Sequence, residues 1–269
     1  MRARHAVLVL VSALALLGFG GLRSWLTPTP SPLPAGAEAF RIEVRRPRED
    51  LVVTRDATGP WVIARHDDLA DAEAVGNLLD GLRALEFGPV IAPSEKGLAT
   101  GLGPADVARV RILDATGRPL FDGLFGRRLF GRTSYFRASD RDDVRLATGA
   151  DPELLLRSSS QWREPRLLPG GCPGGLEFLS SGIWRMIPAP AGRELCALRA
   201  SHWATGTPEK LAGLERPFLR VRASDGRGFT VGDRRGAERL VLVDGRTALL
   251  RVPAAAVETA AADLIDFAP

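Results

Sequence analysis

Leu51-Val52-Val53 leads through Gly59-Pro60-Trp61 into Val62-Ile63, and the pattern returns as Leu176-Glu177-Phe178-Leu179 leading through Gly182-Ile183-Trp184 into Met186-Ile187. The repetition continues outward from both places. Glu95-Lys96-Gly97-Leu98 with Gly101-Leu102-Gly103-Pro104 is answered by Glu209-Lys210-Leu211 with Gly213-Leu214 and Pro217. Arg109-Val110-Arg111 is answered by Arg220-Val221-Arg222. Every matching piece is turn or strand material: glycine and proline punctuate, while alternating and β-branched residues suit a pleated, half-buried surface. The chain therefore reads as one sheet-building unit written twice. The first copy covers residues 40–168, a glycine-rich hinge covers 169–175, and a second, shortened copy covers 176–269. Trp61 and Trp184 match in this alignment and are expected to anchor their hairpins, a ligand platform being the alternative.

Within the first copy, Phe40-Arg41-Ile42-Glu43-Val44-Arg45 alternates strictly, as a strand with one buried face does. Val75, Leu78, Leu79, Leu82 and Leu85 recur at helical spacing and form one apolar stripe on a helix that Gly88-Pro89 ends. Short strands follow over 107–114, 119–125, 135–138 and 144–147, and Asp151-Pro152 caps a brief helix through Leu156. The second copy repeats this order with a shortened first helix and ends on an alanine-rich helix opened by Pro253. The fold class expected is α+β: an N-terminal transmembrane helix, then two tandem, mainly antiparallel sheet units, each with a covering helix.

Ahead of these units, Ala6–Leu22 is an uncharged apolar run of 17 residues behind Arg2 and Arg4. That is the short end of what spans a bilayer, extended a little by Arg23 and Trp25 at the interface. Residues 1–26 are read as a cytoplasmic tip and membrane anchor, and the positive charge ahead of the run places everything behind it outside. A cleaved signal peptide is the rival reading, with Ala35-Gly36-Ala37 as a cleavage-like site lying far from the run. Thr27–Pro34 holds four prolines in eight residues, so 27–39 is expected to be an extended linker.

The net charge of +4 rests almost wholly on arginine, since Lys96 and Lys210 are the only lysines. Arginines alternate along strands, as on the wet face of half-buried sheets. Arg127, Arg128 and Arg132 form the densest loop cluster, suited to anionic headgroups or an acidic partner, and an outside location argues against nucleic acid. Cys172 and Cys196, both in the exported part, are a possible disulfide closing a loop of about 24 residues, worth on the order of 3 kcal/mol in the chain-entropy picture. Two unrelated thiols are the alternative.

No catalytic set emerges. His66 beside Asp67 and Asp68 reads as a solvated loop, and His202-Trp203 as packing at a helix end. Counting a calcium loop from Asp140 puts Arg145 and Asp151 where Gly and Glu are required. The serines lack a nucleophile elbow, and Gly101-Leu102-Gly103 precedes a strand instead of following one. No cofactor, metal site or catalytic residue is expected.

Strand, Gly-x-Trp, apolar helix, Glu-Lys-x-Leu with Gly-Leu and Pro, and the Arg-Val-Arg strand, in that order, resemble an uncharacterised bacterial envelope family. Its members carry a domain of unknown function and are often encoded beside gliding-motility-type ABC transporter genes. The resemblance covers Phe40–Leu168 well and Leu176 onward more loosely; Gly232-Asp233 keeps the family's Gly-Asp, while Gly126-Arg127 departs from it. It implies one N-terminal anchor, a repeated extracytoplasmic domain, and association with a membrane transporter, and it carries over no functional residue. The expectation is a bacterial inner-membrane, single-pass, periplasm-facing accessory or scaffold protein without enzymatic activity. It would dock on an ABC-type transporter or a gliding or surface-assembly complex. A periplasmic glycan- or peptide-binding module or hydrolase, using an acidic groove near Asp67, Asp68 and Asp71 or Asp140–Asp143, and a bitopic secretion-system component are the alternatives.

Overall fold

The computed structural model describes residues 30, 32–66, 68–92, 99–171, 175–180, 182–187, 189–204 and 213–265. The chain divides into two compact units, Met1–Val52 with Glu73–Arg157, and Val53–Ala72 with Ser158–Pro269. The chain crosses from one unit to the other after Val52, Ala72 and Arg157, so twenty residues from inside the first copy belong to the second unit.

The first unit begins with β1 (Arg41–Arg45) and the opening of β2 (Asp50–Thr54). Strands β3 (Val62–Ile63) and β4 (Asp68–Leu69) lie in the segment taken by the second unit. The first unit resumes with α1 (Ala72–Arg83), β5 (Glu86–Ala92), β6 (Ala108–Leu113), β7 (Pro119–Phe130), β8 (Thr133–Ala138), β9 (Val144–Thr148) and the five-residue α2 (Pro152–Leu156). Ile42 and Val44 of β1 are buried, as alternation requires. Ala74, Val75, Leu78, Leu79 and Leu82 bury the stripe of α1. Phe87, Phe121, Phe125 and Phe136 form an aromatic cluster with ring centroids 4.9 to 6.3 Å apart.

The second unit holds a 3-10 turn (Ser159–Trp162), β10 (Leu176–Ser180), β11 (Ile183–Met186), α3 (Ala189–Ala197), β12 (His202–Trp203), β13 (Leu219–Ala223), β14 (Gly228–Arg235), β15 (Glu238–Val243), β16 (Leu249–Pro253) and α4 (Ala254–Ile265). Its core joins Phe178, Leu195, Val221, Phe229, Val241 and Leu250 with Val257, Ala260, Ala261 and Leu264 of α4.

Strand order shows how the copies correspond. The first sheet runs β4-β3-β2-β1-β6-β7-β8-β9-β5 and the second β11-β10-β13-β14-β15-β16-β12; with the added β3 and β4 set aside, the first reads β2-β1-β6-β7-β8-β9-β5. Numbered along the chain within each copy, both are 2-1-4-5-6-7-3. Each copy also places one helix between its second and third strands and one after its seventh. Thus β1 answers β10 and β2 answers β11. The Gly-Pro-Trp turn opens β3, which has no counterpart, so Trp61 and Trp184 are not equivalent positions. The Arg-Val-Arg strands do correspond: Arg111 faces Glu43 across β1–β6, and Arg222 faces Glu177 across β10–β13.

The expected fold class is corrected. The molecule is mostly β, two antiparallel sheets with four helices among the described residues, and not an α+β fold. The helical share shrinks because α1 stops at Arg83 and the stretch through Gly88-Pro89 is strand β5, paired with β9. Pro89 is tolerated there because β5 ends the sheet and its missing N–H breaks no ladder on the open side. Among the described residues no helix is long and apolar enough to cross a membrane, and Ala6–Leu22 lies outside them. Within the linker expected over 27–39, Leu33 and Ala39 are buried, Leu33 at 1% exposure, and the Leu33 N–H bonds the Leu82 carbonyl at 3.1 Å, while residues 34–36 and Glu38 are exposed.

Candidate functional site

The bulged ends of β7 and β14 are built alike. Pairing of β7 with β8 slips between Phe125 and Arg128, and pairing of β14 with β15 slips between Val231 and Arg234. A preceding loop packs on each bulge through a glycine with positive φ. Gly101 (φ +69°) admits no Cβ, which would lie 2.7 Å from the Arg127 nitrogen; Gly213 (φ +65°) sits against the Asp233 carboxylate. Arg127 N–H donates to the Thr100 carbonyl at 2.7 Å. Arg128 pairs with Glu153 of α2 at 2.5 Å, and Arg234 pairs with Glu258 of α4 at 3.4 Å.

Beyond the bulge, the first copy carries Leu129-Phe130-Gly131-Arg132 on its tip. Phe130 is 68% exposed and Leu129 38%, although Phe121, Phe125 and Phe136 of the same unit are buried. Arg127, Arg128 and Arg132 are exposed around them, and Arg127 and Arg132 have no carboxylate within ion-pair distance among the described residues. Behind the tip lies a hollow of about 590 Å³, whose walls include Phe125, Gly126, Arg127, Arg128, Leu155 and the exposed Leu156. Here the arginine cluster singled out in the sequence joins an apolar surface that alternation alone did not mark. At the other end of β7, Pro30 lines a second hollow with Pro119, Phe121, Ala138 and Arg141.

Most other charge is consumed internally. On the first sheet, Glu43 pairs with Arg41 at 2.8 Å and Arg111 at 3.3 Å, and Asp122 pairs with Arg109 at 2.7 Å and Arg111 at 3.2 Å. The Asp122 bonds hold the Arg109 guanidinium above its ordinary value. In the second unit, Asp68 is fully buried under a bidentate contact from Arg246, Nε to Oδ1 at 2.7 Å and Nη2 to Oδ2 at 3.0 Å. Arg246 Nη1 also donates to the Glu164 carbonyl at 2.9 Å. Arg163 stands 3.8 Å from Asp68 and over the Trp203 ring, and burial lowers its pKa despite that carboxylate. This ionic knot fastens the β3–β4 segment inside the second unit, an arrangement invisible in a sequence where Asp68 and Arg246 lie 178 residues apart.

Of the acids considered for a groove, Asp140 and Asp142 are exposed on a turn. Asp68 is held by Arg246, and Asp143 by Arg145 at 2.8 Å; Asp67 is not among the described residues. No cluster of three or more metal-ligating side chains occurs among the described residues. His66 Nε2 lies 3.4 Å from Ser159 Oγ, and His202 Nδ1 lies 3.1 Å from Glu238. Neither predicted tryptophan is core. Trp61 is half-buried with the Arg55 guanidinium 5.0 Å from its ring, and Trp184 is half-buried with Arg222 at 4.1 Å; among the described residues the buried tryptophan is Trp162. Cys196 lies on α3 against the second core, and Cys172 lies outside the described residues. No protein-family model, curated protein or solved structure matches this chain.

Proposed function

We infer that this protein is a membrane-tethered, extracytoplasmic accessory subunit that acts by surface contact and has no catalytic centre of its own. The observation that carries this reading is the β7–β8 tip. A phenylalanine and a leucine stand in solvent among three arginines, on a unit whose other described aromatic side chains are buried or half-buried. Such an apolar patch with a cationic rim suits a partner that supplies both carboxylates and an apolar anchor.

The tether favours a protein partner over the bilayer itself. Residues 23–29, between the apolar run and Pro30, span at most about 25 Å when fully extended. The strand from Phe121, beside Pro30, to Phe130 covers about 30 Å. A tip pointed head-on into the membrane would need a longer tether. The partner class is the one that the sequence resemblance implies, an ABC-type transporter or a surface-assembly complex.

A photo-crosslinking residue in place of Phe130, in the full-length chain within native membranes, tests the reading. A membrane-protein adduct that weakens in an Arg127→Glu/Arg132→Glu background is the expected result. Recovery of the protein alone, without adduct, would refute it.

A further inference from the structure

The edge strand β11 differs from its counterpart in one respect. In the first copy the outer edge of β2 is covered: Val53 pairs with Ile63 and Thr54 with Val62 of β3. Strand β11 ends its sheet, and Ile183 and Met186 are 62% and 63% exposed there. Natural sheets blunt such edges with charge, proline or a covering segment. β11 has one arginine, Arg185, between two exposed apolar side chains.

Hydrogen-bond direction follows from one contact. Ile187 N–H donates to the Leu176 carbonyl at 2.8 Å, so residue 187 faces β10. Backbone groups alternate along a strand, so those of Ile183 and Arg185 also face β10, and those of Trp184 and Met186 face outward. β11 therefore offers two outward donors and two outward acceptors, with Ile183 on one face and Met186 on the other.

We propose that β11 is a β-augmentation site that takes an extended segment of a partner polypeptide, in the position β3 occupies on β2. This rests on the reading of the protein as a docking subunit and assigns that docking a second, backbone-mediated surface. Main-chain bonds supply the pairing, and Ile183 and Met186 supply the apolar contact on either face. A second copy of this chain is a poor occupant. The register that overlaps both outward residues places Arg185 directly opposite its own copy, where like charges repel. The segment that fits carries an acidic residue opposite Arg185 and apolar residues beside it.

The test places a photo-crosslinking residue at Ile183 of the full-length chain in native membranes and compares Met186→Pro with Met186→Ser. Proline removes an outward N–H and leaves the β10 ladder intact, so both variants should melt like the parent. The expected result is an adduct to an extended, acidic-apolar peptide of another protein, reduced at least about tenfold by proline and little by serine. Equal loss in both variants, an adduct to a second copy, a lipid adduct or no adduct would each overturn the proposal. An adduct at Phe130 with none at Ile183 removes the edge and leaves the docking function standing; adducts at neither remove both.

Discussion

Hairpins β7–β8 and β14–β15 occupy the same place in their sheets, slip register at the same step, and tie their arginine to a glutamate. Glu153 and Glu258 each follow the last strand residue, Thr148 and Pro253, by five positions. The ends differ. Between Arg128 and Ser134 the first copy has five residues, including Leu129 and Phe130; between Arg234 and Arg239 the second has four, without a large apolar side chain. Glu258 also takes Arg239 at 3.0 Å, closing the second tip with an ion pair. The sheet plainly tolerates a short polar turn here, so the exposed phenylalanine is not a requirement of the fold. Two copies of one scaffold thus separate what folding demands from what the surface adds.

The largest effect should come from the segment that only the first copy carries. Asp68→Ala leaves Arg246 buried without its carboxylate and should cost about 3–5 kcal/mol in chemical denaturation. Pairing Asp68→Leu with Arg246→Met should recover most of that, because the loss lies in the orphaned charge. If the single variant is neutral, the knot does not hold the β3–β4 segment in place.

The cysteines come next. A Cys172–Cys196 bridge predicts that the unfolded, unreduced chain resists alkylation at both positions, and that Cys196→Ser costs on the order of 3 kcal/mol. Full alkylation without reductant would remove the bridge from consideration.

The paired glycines sharpen the comparison further. A methyl on Gly101 meets the Arg127 backbone, which cannot move aside, whereas a methyl on Gly213 meets the Asp233 side chain, which can. Gly101→Ala should cost about 2–3 kcal/mol and Gly213→Ala about 1–2 kcal/mol. The reverse order in thermal or urea melts would break the correspondence of the two bulges.

Glu238 supplies a contrast in pH. Its carboxylate is held below the ordinary 4.5 mainly by the Ser201 hydroxyl and then by His202. A lowered folded-state pKa stabilises above the ordinary value, and that contribution fades as pH falls through the folded value. The stability gap between the parent and Glu238→Gln should therefore be present at neutral pH and close in acid below about 4.5. Its first-copy counterpart, Thr133, bonds the Thr148 hydroxyl at 3.0 Å, and Thr133→Val should show no such pH dependence. Smallest of all, Arg128→Ala and Arg234→Ala should each change stability by no more than a few tenths of a kcal/mol, as exposed pairs do.

Strands with local signatures were legible. The Phe40–Arg45 alternation and the Arg-Val-Arg repeats need only neighbouring residues to declare themselves, and the Gly-Leu loops announce a turn through glycine itself. Pairing partners were not. Leu51–Val53 looks like Leu176–Leu179 along the chain, yet Phe40–Arg45 is the true counterpart of the latter. Only the sheet order reveals this, since strand choice is decided by contacts far apart in sequence. Strand β5 was hidden for another reason: Gly88-Pro89 signals a helix end as readily as an edge strand. The tip was half visible, since its arginines stand out by density, while the exposure of Phe130 depends on which face of β7 the bulge turns outward.

The buried salt link between Asp68 and Arg246 has a consequence for manufacture. The polypeptide visits the first unit, then the second, then the first, then the second again, so neither unit is one uninterrupted stretch. Cutting at the glycine-rich junction would leave one fragment with a stranded acid and the other with a stranded base. During synthesis the early acid must also wait until nearly the whole chain has emerged, so this protein completes its architecture late and as a single piece.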